Sequence, residues 1–391
     1  MNKILSLFAN LSSLQKILVL IVMAVVLFDI SASASYALFT NSDLSIKETP
    51  IASLPTPSNA YAEDPKEPKT EECPLNGAAH TKKAADSWNK RRPLAVMIEN
   101  HTEARPQSGL SSADLVYEAV AEGGITRFMA LFYCNLADVQ VGPVRSARTY
   151  YLDWLAEYDA LYAHVGGANT PGPADALSQI IKFDVRDLNQ FSIGFPVFWR
   201  DYQRLGHSVA TEHTMYSTTA KLWEVGAKRG WTATDSAGIR WDDNFVSWKF
   251  KDESALGSVT NIKVNFWESQ GGYEVNWIYD KASNSYKRKN GGEDHLDLNN
   301  KIQLTPKIVI VQFEKESNAN DGYPGNVHLL YGTTGSGKVL IFQDGNITEG
   351  KWLKPTRTAR SKYVDASGKE VQFNKGQIWI QTVPEGSKVT Y

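Results

Sequence analysis

Short apolar runs separated by glycine dominate residues 93–168. The run LAVMIE at 94–99 has the length of a buried strand, and two further runs, DLVYEAVA and TRFMALFYC, flank a glycine pair. After VQVGPV the apolar positions change to helical spacing, which predicts a helix that begins near Ser146. Strands and helices in this order favour an α/β or α+β fold with a mixed sheet. We place this first domain at residues 91–250.

The pattern changes again from about residue 257. The segments VTNIKVNFW, YEVNWIYD, KIVIVQF, KVLIFQDG and GQIWIQTV alternate apolar and polar positions, with Gly, Asn and Asp at the bends. This alternation predicts antiparallel strands, and DGN at 344–346 is typical of a hairpin turn. We therefore expect a β-rich antiparallel second domain at 251–391. Before it, STTAKLWEVGAKR predicts a helix capped by Ser217 or Thr218.

The N-terminal segment has the pattern of a targeting signal. Residues 17–28 are apolar and follow Lys16, a length that suits a signal peptide, and extension to Ala37 reaches membrane-spanning length. Residues 1–40 are therefore either a cleaved signal peptide or an N-terminal membrane anchor. Lysines before the run place the rest of the chain on the extracytoplasmic side of the membrane, anchored or secreted. Residues 41–90, rich in Pro, Ser, Lys and Glu, predict a disordered tether.

Charge and motif content narrow the classes of function. The chain has 391 residues with 41 basic and 43 acidic side chains, a balance that argues against a nucleic-acid partner held by general charge. The segment GTTGSGK at 332–338 resembles the start of a P-loop. However, Val339 stands where a Ser or Thr would hold magnesium, and a predicted strand follows instead of a helix. We therefore expect no nucleotide partner.

The two cysteines, Cys73 and Cys134, leave two alternatives. They form a disulfide, as an oxidising compartment would allow, or they remain unpaired with one of them buried; we favour the disulfide. Neither a CxxC motif nor a nearby set of histidines is present. The sequence therefore predicts no metal site and no cofactor.

Basic side chains lie at the joints between the predicted elements. Because guanidinium groups beside a helix start suit phosphate, sulfate or carboxylate, we predict an arginine-lined, ligand-binding cleft. A glycine pair after a strand adds a second, weaker anion cradle. The alternative is that these arginines form partly buried ion pairs with Glu99, Glu118, Glu122 or Asp153. The predicted ligand-binding residues are Arg105, Arg127, Arg145, Arg148, Gly166 and Gly167.

Candidates for acid–base chemistry are weaker. Glu118, Glu122 and His164 are the candidate catalytic residues, and His213 adjoins Glu212. A single histidine is more often a structural hydrogen-bonding residue than a catalyst, and no GxSxG motif supports a serine nucleophile. Enzymatic activity is therefore uncertain and is the less favoured alternative.

Several segments resemble one family of proteins. RPLAVMIEN, ARPQSGLSSADLVYEAVAEGGITRFMALF, VGPVRSARTYYLDWLAEYDALYAHVGG and EHTMYSTTAKLW resemble the first domain of the YerB-like family of bacterial putative lipoproteins. YKRKNGGEDHLD, ITEGKWLK and GQIWIQTVPEGSKVTY resemble its second domain, so that the similarity covers about three quarters of the chain. The resemblance implies a two-part extracytoplasmic protein of uncharacterised function and transfers no catalytic residue. One departure is that no cysteine lies near the end of the apolar segment, where the family's lipoproteins are lipidated.

Three hypotheses of function follow. The favoured one is a membrane-associated, non-enzymatic protein that binds an anionic or glycan ligand of the cell envelope, with the arginines as its site and eleven Trp available for stacking. The second is an envelope enzyme acting on a lipid-linked pyrophosphate or glycan. The RSAR segment is slightly similar to the arginine-bearing turn of LytR-type phosphotransferases, and only this alternative would require a divalent cation. The third is an assembly protein that docks a protein partner.

Overall fold

The structure of the protein is a computed structural model. It describes residues 63, 64 and 66–391 apart from 268–269 and 324–327, together with scattered positions between 11 and 31. The predicted signal or anchor segment and the tether up to residue 62 lie largely outside the described residues. Among the helices that are described, none combines the length and the apolar character needed to span a membrane.

The first part of the chain alternates strands and helices. Its helices are α1 (Lys82–Trp88), α2 (Thr149–Leu155), α3 (Ala176–Lys182), α4 (Gln190–Ile193) and α5 (Thr219–Lys228). Its strands are β1 (Lys69–Glu72), β2 (Ala79–Thr81), β3 (Leu94–Glu99), β4 (Leu115–Glu122), β5 (Ile125–Phe132), β6 (Gln140–Val141), β7 (Leu161–His164), β8 (Arg186–Asn189), β9 (Trp199–Arg200) and β10 (Met215–Thr218).

The second part is built from strands. They are β11 (Phe250–Lys251), β12 (Asn261–Val264), β13 (Val275–Asp280), β14 (Ser285–Asn290), β15 (Glu293–Asp294), β16 (Ile308–Glu314), β17 (Glu316–Asn318), β18 (Leu329–Tyr331), β19 (Gly335–Gln343), β20 (Asn346–Lys354), β21 (Lys362–Asp365), β22 (Phe373–Asn374), β23 (Ile378–Pro384) and β24 (Val389–Thr390). The predicted fold class is confirmed: a mixed sheet with helices is followed by a β-rich, mainly antiparallel part.

A ten-stranded sheet forms the centre of the fold. Its strand order is β21-β20-β19-β16-β23-β4-β5-β3-β7-β8. Strands β3, β4, β7, β8, β16 and β23 all run in one direction, because the β23–β4, β16–β23, β3–β7 and β7–β8 pairs are parallel and β5 is antiparallel to both β3 and β4. The central strands β3 and β16 are buried along their whole length, which explains their continuous apolar runs.

A second sheet packs beside the central one. It contains β15-β14-β13-β12-β24, and all of its pairs are antiparallel. Burial alternates along β12 and β13, so this sheet buries one face and leaves the other in solvent. The predicted boundary near residue 250 stays a prediction, and the ten-stranded sheet takes strands from both sides of it.

The folded part begins earlier than the sequence predicts. The predicted tether extends to residue 90, yet β1, β2 and α1 lie within it. Cys73 and Cys134 form a disulfide that joins the end of β1 to the end of β5. Thr81 caps α1 by accepting a hydrogen bond from Ala84, and Trp88 is buried. The polar composition of this segment does not reveal that the disulfide and the buried Trp88 side chain hold it against the core.

Helix boundaries follow the capping chemistry. Helix α5 has the predicted Thr218 cap, which accepts a hydrogen bond from the Lys221 amide. Helix α2 begins at Thr149, not near Ser146, and Arg148 occupies its N-cap position without a side-chain cap. The cause is that Ser146 lies in the extended connection from β6, where its carbonyl accepts a hydrogen bond from Arg127.

A buried ion pair joins the two parts of the chain. Glu118 on β4 accepts hydrogen bonds from Arg288 on β14 at 2.9 Å and from Thr126, Trp379 and Gln381 at 2.9 to 3.0 Å. Both charged side chains are fully buried. Arg288 also lies against the Trp379 ring, 4.6 Å from its centroid. The four donors satisfy a carboxylate that would otherwise be very costly to bury.

The same network continues through a buried imidazole. Nε of Arg288 donates to Nδ1 of His295 at 2.8 Å, and Nε2 of His295 lies 2.6 Å from Oε1 of Gln107. Burial, together with the charges of Arg288 and Arg105, lowers the pKa of His295 well below its usual range. His295 is therefore neutral, which lets Nδ1 accept and Nε2 donate.

A second buried cluster links the parts elsewhere. Glu157, just after α2, contacts Lys354 and Arg360, each at 2.9 Å, and accepts from the Ser361 hydroxyl at 2.6 Å. Burial favours the neutral acid, but the two cations outweigh it and lower the pKa of Glu157. Both clusters use acids from the first part and cations from the second.

We predict that Arg288→Met destabilises the protein by about 3–5 kcal/mol, because it leaves the Glu118 carboxylate buried without its cation. Urea unfolding followed by tryptophan fluorescence measures this. The control is Lys228→Met, which removes an ion pair with Glu224 whose side chains are 71% and 62% exposed, and it should change stability by less than about 0.5 kcal/mol. Equal losses in the two variants would contradict a central role for the buried pair.

Candidate functional site

The predicted site residues gather at one edge of the central sheet. Parallel strands β3, β4 and β7 end there, and β5 starts there, with Glu99 paired opposite Arg127. The connection that carries Arg145 and Arg148 crosses the same edge, since the Arg145 amide donates to the Met97 carbonyl. In open α/β sheets this is the edge at which ligands bind. The topology therefore brings the predicted arginines together. The groups that each arginine contacts determine whether it is available to bind a ligand.

Arg127 and Arg148 share one carboxylate. Nη2 of Arg127 lies 3.1 Å from Glu122, and Arg148 contacts the other oxygen of the same carboxylate. Arg127 also donates to the Ser146 carbonyl at 2.9 Å, and its side chain is only 4% exposed. Burial lowers the pKa of Arg148. These two arginines are therefore already paired with a carboxylate, and their predicted role in ligand binding stays a prediction.

Arg145 is held by a different acid. Its Nε lies 3.1 Å from Oε1 of Glu99, and the other oxygen of Glu99 lies 2.8 Å from Nδ1 of His213. The hydrogen bond to Glu99 raises the pKa of His213. The Arg145 side chain is 26% exposed, more than that of Arg127. A row of polar contacts thus links Arg145 through Glu99 to His213 at the sheet edge.

Arg105 differs from the other three arginines. It donates to Oδ1 and to the carbonyl oxygen of Asn100, both at 3.1 Å, and to the Gly272 carbonyl at 2.9 Å. All three acceptors are neutral, and within residues 66–391 as described no carboxylate lies in ion-pair distance of Arg105. Burial lowers the pKa of Arg105 to about 10, so it remains a cation at neutral pH.

A cleft of about 420 Å³ opens beside Arg105. One wall is the turn that includes Thr102 and Pro106, and the other is the hairpin of β14 and β15 with Gly272 beside it. Asn290 lines this cleft, is 3% exposed, and donates to Asn100 at 2.7 Å. Among the described residues its Oδ1 has no hydrogen-bond partner. The cleft therefore presents the Arg105 guanidinium, while Oδ1 of Asn290 is closed to solvent behind the cleft wall.

The remaining predicted residues have structural roles. His164 is fully buried, with Nδ1 at 2.7 Å from the Gly166 carbonyl and Nε2 at 2.7 Å from Asp187. Gly166 has a φ of 58°, and a Cβ at Gly167 would lie 2.9 Å from Leu177. The glycine pair serves the turn, and the α3 N-terminus beyond it is already capped by the Asp175 carboxylate. Neither feature offers an anion cradle, and Glu118 lies in the core.

Sequence reasoning missed two features. Asn290 lies in a polar, lysine-rich strand that gives no sign of burial. His101 was not considered, yet its ring stacks on that of His213 with centroids 4.7 Å apart. The burial of Asn290 and the contact of His101 with His213 depend on the fold, so no local spacing indicates them, although His101 lies only two residues after Glu99 in the chain.

We predict that Arg127→Gln and Arg145→Gln lower the free energy of unfolding by different amounts. Arg127→Gln should lower the free energy of unfolding by about 2 kcal/mol or more, because it removes a buried partner of Glu122. Arg145→Gln should lower it by about 1 kcal/mol or less, because the pair is partly hydrated and Glu99 keeps His213. Urea denaturation compares the two variants. A larger loss for Arg145→Gln would contradict the assignment of Arg127 to the scaffold.

Comparison with known proteins places the chain in a family. Residues 78–232 match the N-terminal domain, and residues 262–380 the C-terminal domain, of a family described as protein of unknown function (DUF3048). The Bacillus subtilis (strain 168) protein named "Putative lipoprotein YerB" is 31% identical over 316 residues, which cover 80% of this chain and 86% of that protein.

The fold agrees with a solved structure. The crystal structure of the YerB protein from Bacillus subtilis superimposes with a TM-score of 0.68 at 27% sequence identity, covering 82% of this chain and 100% of that chain. Both family domains and the full length of the solved chain are thus matched in order. The chain belongs to the two-part YerB-like family of unknown function.

Proposed function

We propose that the protein is a non-enzymatic binding protein of the bacterial cell envelope whose cleft at Arg105 takes an anionic saccharide. The observation that carries the proposal is that Arg105, alone among the four predicted arginines, contacts only neutral oxygens and borders an open cleft. A half-buried cation without a facing carboxylate retains its capacity to bind an anion.

The lining of the cleft favours a saccharide over a bare anion. Glu293 and Thr102, both exposed at the rim, offer a carboxylate and a hydroxyl as hydrogen-bond acceptors. The other rim acid, Asp294, pairs with Lys289 at 2.9 Å. Sugar hydroxyls supply the donors that these acceptors need, and a carboxylate or phosphate on the same ligand would pair with Arg105. The volume of the cleft lies in the range of small-ligand sites.

The proposed location rests on two independent supports. The apolar run at 17–28, with lysines before it, is typical of a segment that sends the following chain across the membrane. The Bacillus subtilis relative is named as a lipoprotein, a class of protein attached to the outer face of the membrane by lipid. We therefore assign this chain to the extracytoplasmic side, where envelope saccharides are accessible.

The enzymatic alternative has less support. It requires Arg127, Arg145 and Arg148 to clamp a pyrophosphate, but these side chains contact Glu122 and Glu99. A phosphate would have to displace both carboxylates from largely buried positions. No described contact favours the docking of a protein partner over a small ligand.

The test uses the full-length protein in detergent. The probe is the disaccharide of N-acetylglucosamine and N-acetylmuramic acid, which carries one carboxylate, and N,N′-diacetylchitobiose, called chitobiose below, is its neutral counterpart. Calorimetry should detect the acidic disaccharide more tightly than chitobiose. Arg105→Gln should weaken binding by about 10–100-fold, since a hydrogen bond to a charged group contributes about 1.5–3 kcal/mol.

The matched control is Arg229→Gln. Arg229 also donates to a carbonyl, that of Asp187, and lies over the Trp231 ring away from the cleft. This variant should bind as the wild type does. Binding by folded Arg105→Gln that equals wild type, or equal affinity for the acidic and neutral disaccharides, would refute the proposed site.

A further inference from the structure

Two histidines and a glutamate meet beside the Arg105 cleft. His101 precedes the 3-10 turn at Thr102–Ala104, Glu103 lies within that turn, and His213 ends the 3-10 turn at Thr211–His213. One ligand-type atom of each side chain lies within 4.8 Å of the others. No hypothesis discussed above uses this cluster, which we call the His–Glu–His cluster.

The spacing within the cluster fits a bound ion better than a direct hydrogen bond. Nε2 of His213 lies 3.6 Å from Oε2 of Glu103, which is too long for a hydrogen bond. Two ligands that each bind a tetrahedral zinc ion at about 2.0–2.1 Å are themselves about 3.4 Å apart. The two atoms therefore stand at nearly the distance that one shared ion would impose.

His213 is oriented as a metal ligand. Its Nδ1 is bonded to Oε2 of Glu99 at 2.8 Å, which leaves Nε2 directed to the cluster. A carboxylate on the other nitrogen is the usual outer partner of a zinc-binding histidine. Arg145 holds the other oxygen of Glu99 at 3.1 Å, so that the acid cannot turn away. Arg145, which the sequence predicts as a ligand-binding residue, thus helps to orient the His213 imidazole through Glu99.

His101 requires one adjustment. Its ring is stacked face to face on that of His213 with an angle of 15° between the planes, so the lone pairs of the two rings lie in nearly parallel planes. Nδ1 of His101 accepts a hydrogen bond of 3.2 Å from the Glu103 amide. Binding through Nε2 puts the proton on Nδ1 and breaks the hydrogen bond from the Glu103 amide. The His101 ring must also turn out of the stack, so that its in-plane lone pair meets that of His213 at one ion.

The cluster is accessible and has the right charge. The Glu103 side chain is 58% exposed, so an ion can enter from solvent. Imidazole and carboxylate ligands together suit zinc and similar borderline divalent ions. Three protein ligands leave a fourth position for water or for an anionic ligand. Sequence spacing does not indicate this site, because His101 and His213 lie on separate loops far apart in the chain.

We propose that His101, Glu103 and His213 bind a divalent transition-metal ion of the zinc class. The inference does not depend on the proposed saccharide function. Because Thr102 lies between two of the ligands and also lines the Arg105 cleft, the bound ion would fix the turn that forms one wall of that cleft.

The test uses full-length protein that carries an affinity tag without histidine and has been dialysed against EDTA. Zn²⁺ is titrated in competition with a chromophoric chelator, and Co²⁺ serves as a spectroscopic probe. We expect one Zn²⁺ per chain and visible d–d absorption typical of tetrahedral or five-coordinate Co²⁺. His101→Ala and Glu103→Gln, which change side chains at the surface, should each weaken Zn²⁺ binding by at least about 100-fold, more than loss of an outer partner does.

Glu99→Gln tests the outer partner and should weaken Zn²⁺ binding by about 10–100-fold. The control is His207→Ala, because His207 is exposed and bonds only its neighbouring Leu205 carbonyl among the described residues. It should bind Zn²⁺ as the wild type does. The proposal is overturned if the wild type binds no stoichiometric Zn²⁺, or if folded His101→Ala and Glu103→Gln bind it with unchanged affinity.

Discussion

The pairing of Glu118 with Arg288 is the interaction on which the rest of the structure depends. The acid lies on β4 of the first part and the guanidinium on β14 of the second, and neither is exposed. An unpaired charge at this depth would be strongly destabilising. The second part therefore supplies the cation that the buried Glu118 requires, and the first part supplies the carboxylate that Arg288 requires. The two parts also depend on each other at two further points, which are the parallel pair of β4 with β23 and the Glu157 cluster. The two family domains therefore behave as halves of one core.

The contacts between the two parts also determine where a ligand can bind. At the sheet edge, Arg127 and Arg148 share the Glu122 carboxylate and Arg145 pairs with Glu99, so each of these three arginines already has an acidic partner. The exceptions lie where the halves meet. Arg105 reaches across to the Gly272 carbonyl, and the cleft beside it exists only because the β14–β15 hairpin packs against the turn at 102–106.

The sequence predicted what local patterns determine. Strand β3 has the predicted limits because five consecutive apolar residues, Leu94 to Ile98, favour a buried strand, and α5 starts at its predicted Thr218 cap. The turn after β19 likewise lies at Asp344 and Gly345, both with positive φ. These features depend on neighbours in the chain and so can be inferred without the fold.

What could not be predicted depends on distant partners. The polar run that forms β14 conceals a fully buried Arg288, since its acid is far away in the sequence. The contact of His213 with Glu99 joins two loops in the same way. The ion-pair alternative for the arginines was considered, but which arginine would lack a carboxylate depended on contacts with the second part.

Native-state hydrogen exchange on the full-length protein tests the central claim most directly. If the halves share one core, amides in β4 and β5 and amides in β16 and β23 should exchange through the same global opening, with equal free energies and equal dependence on denaturant. Exchange of β16 and β23 at a clearly lower free energy than β4 and β5 would mean that the second half opens by itself, and would contradict this account.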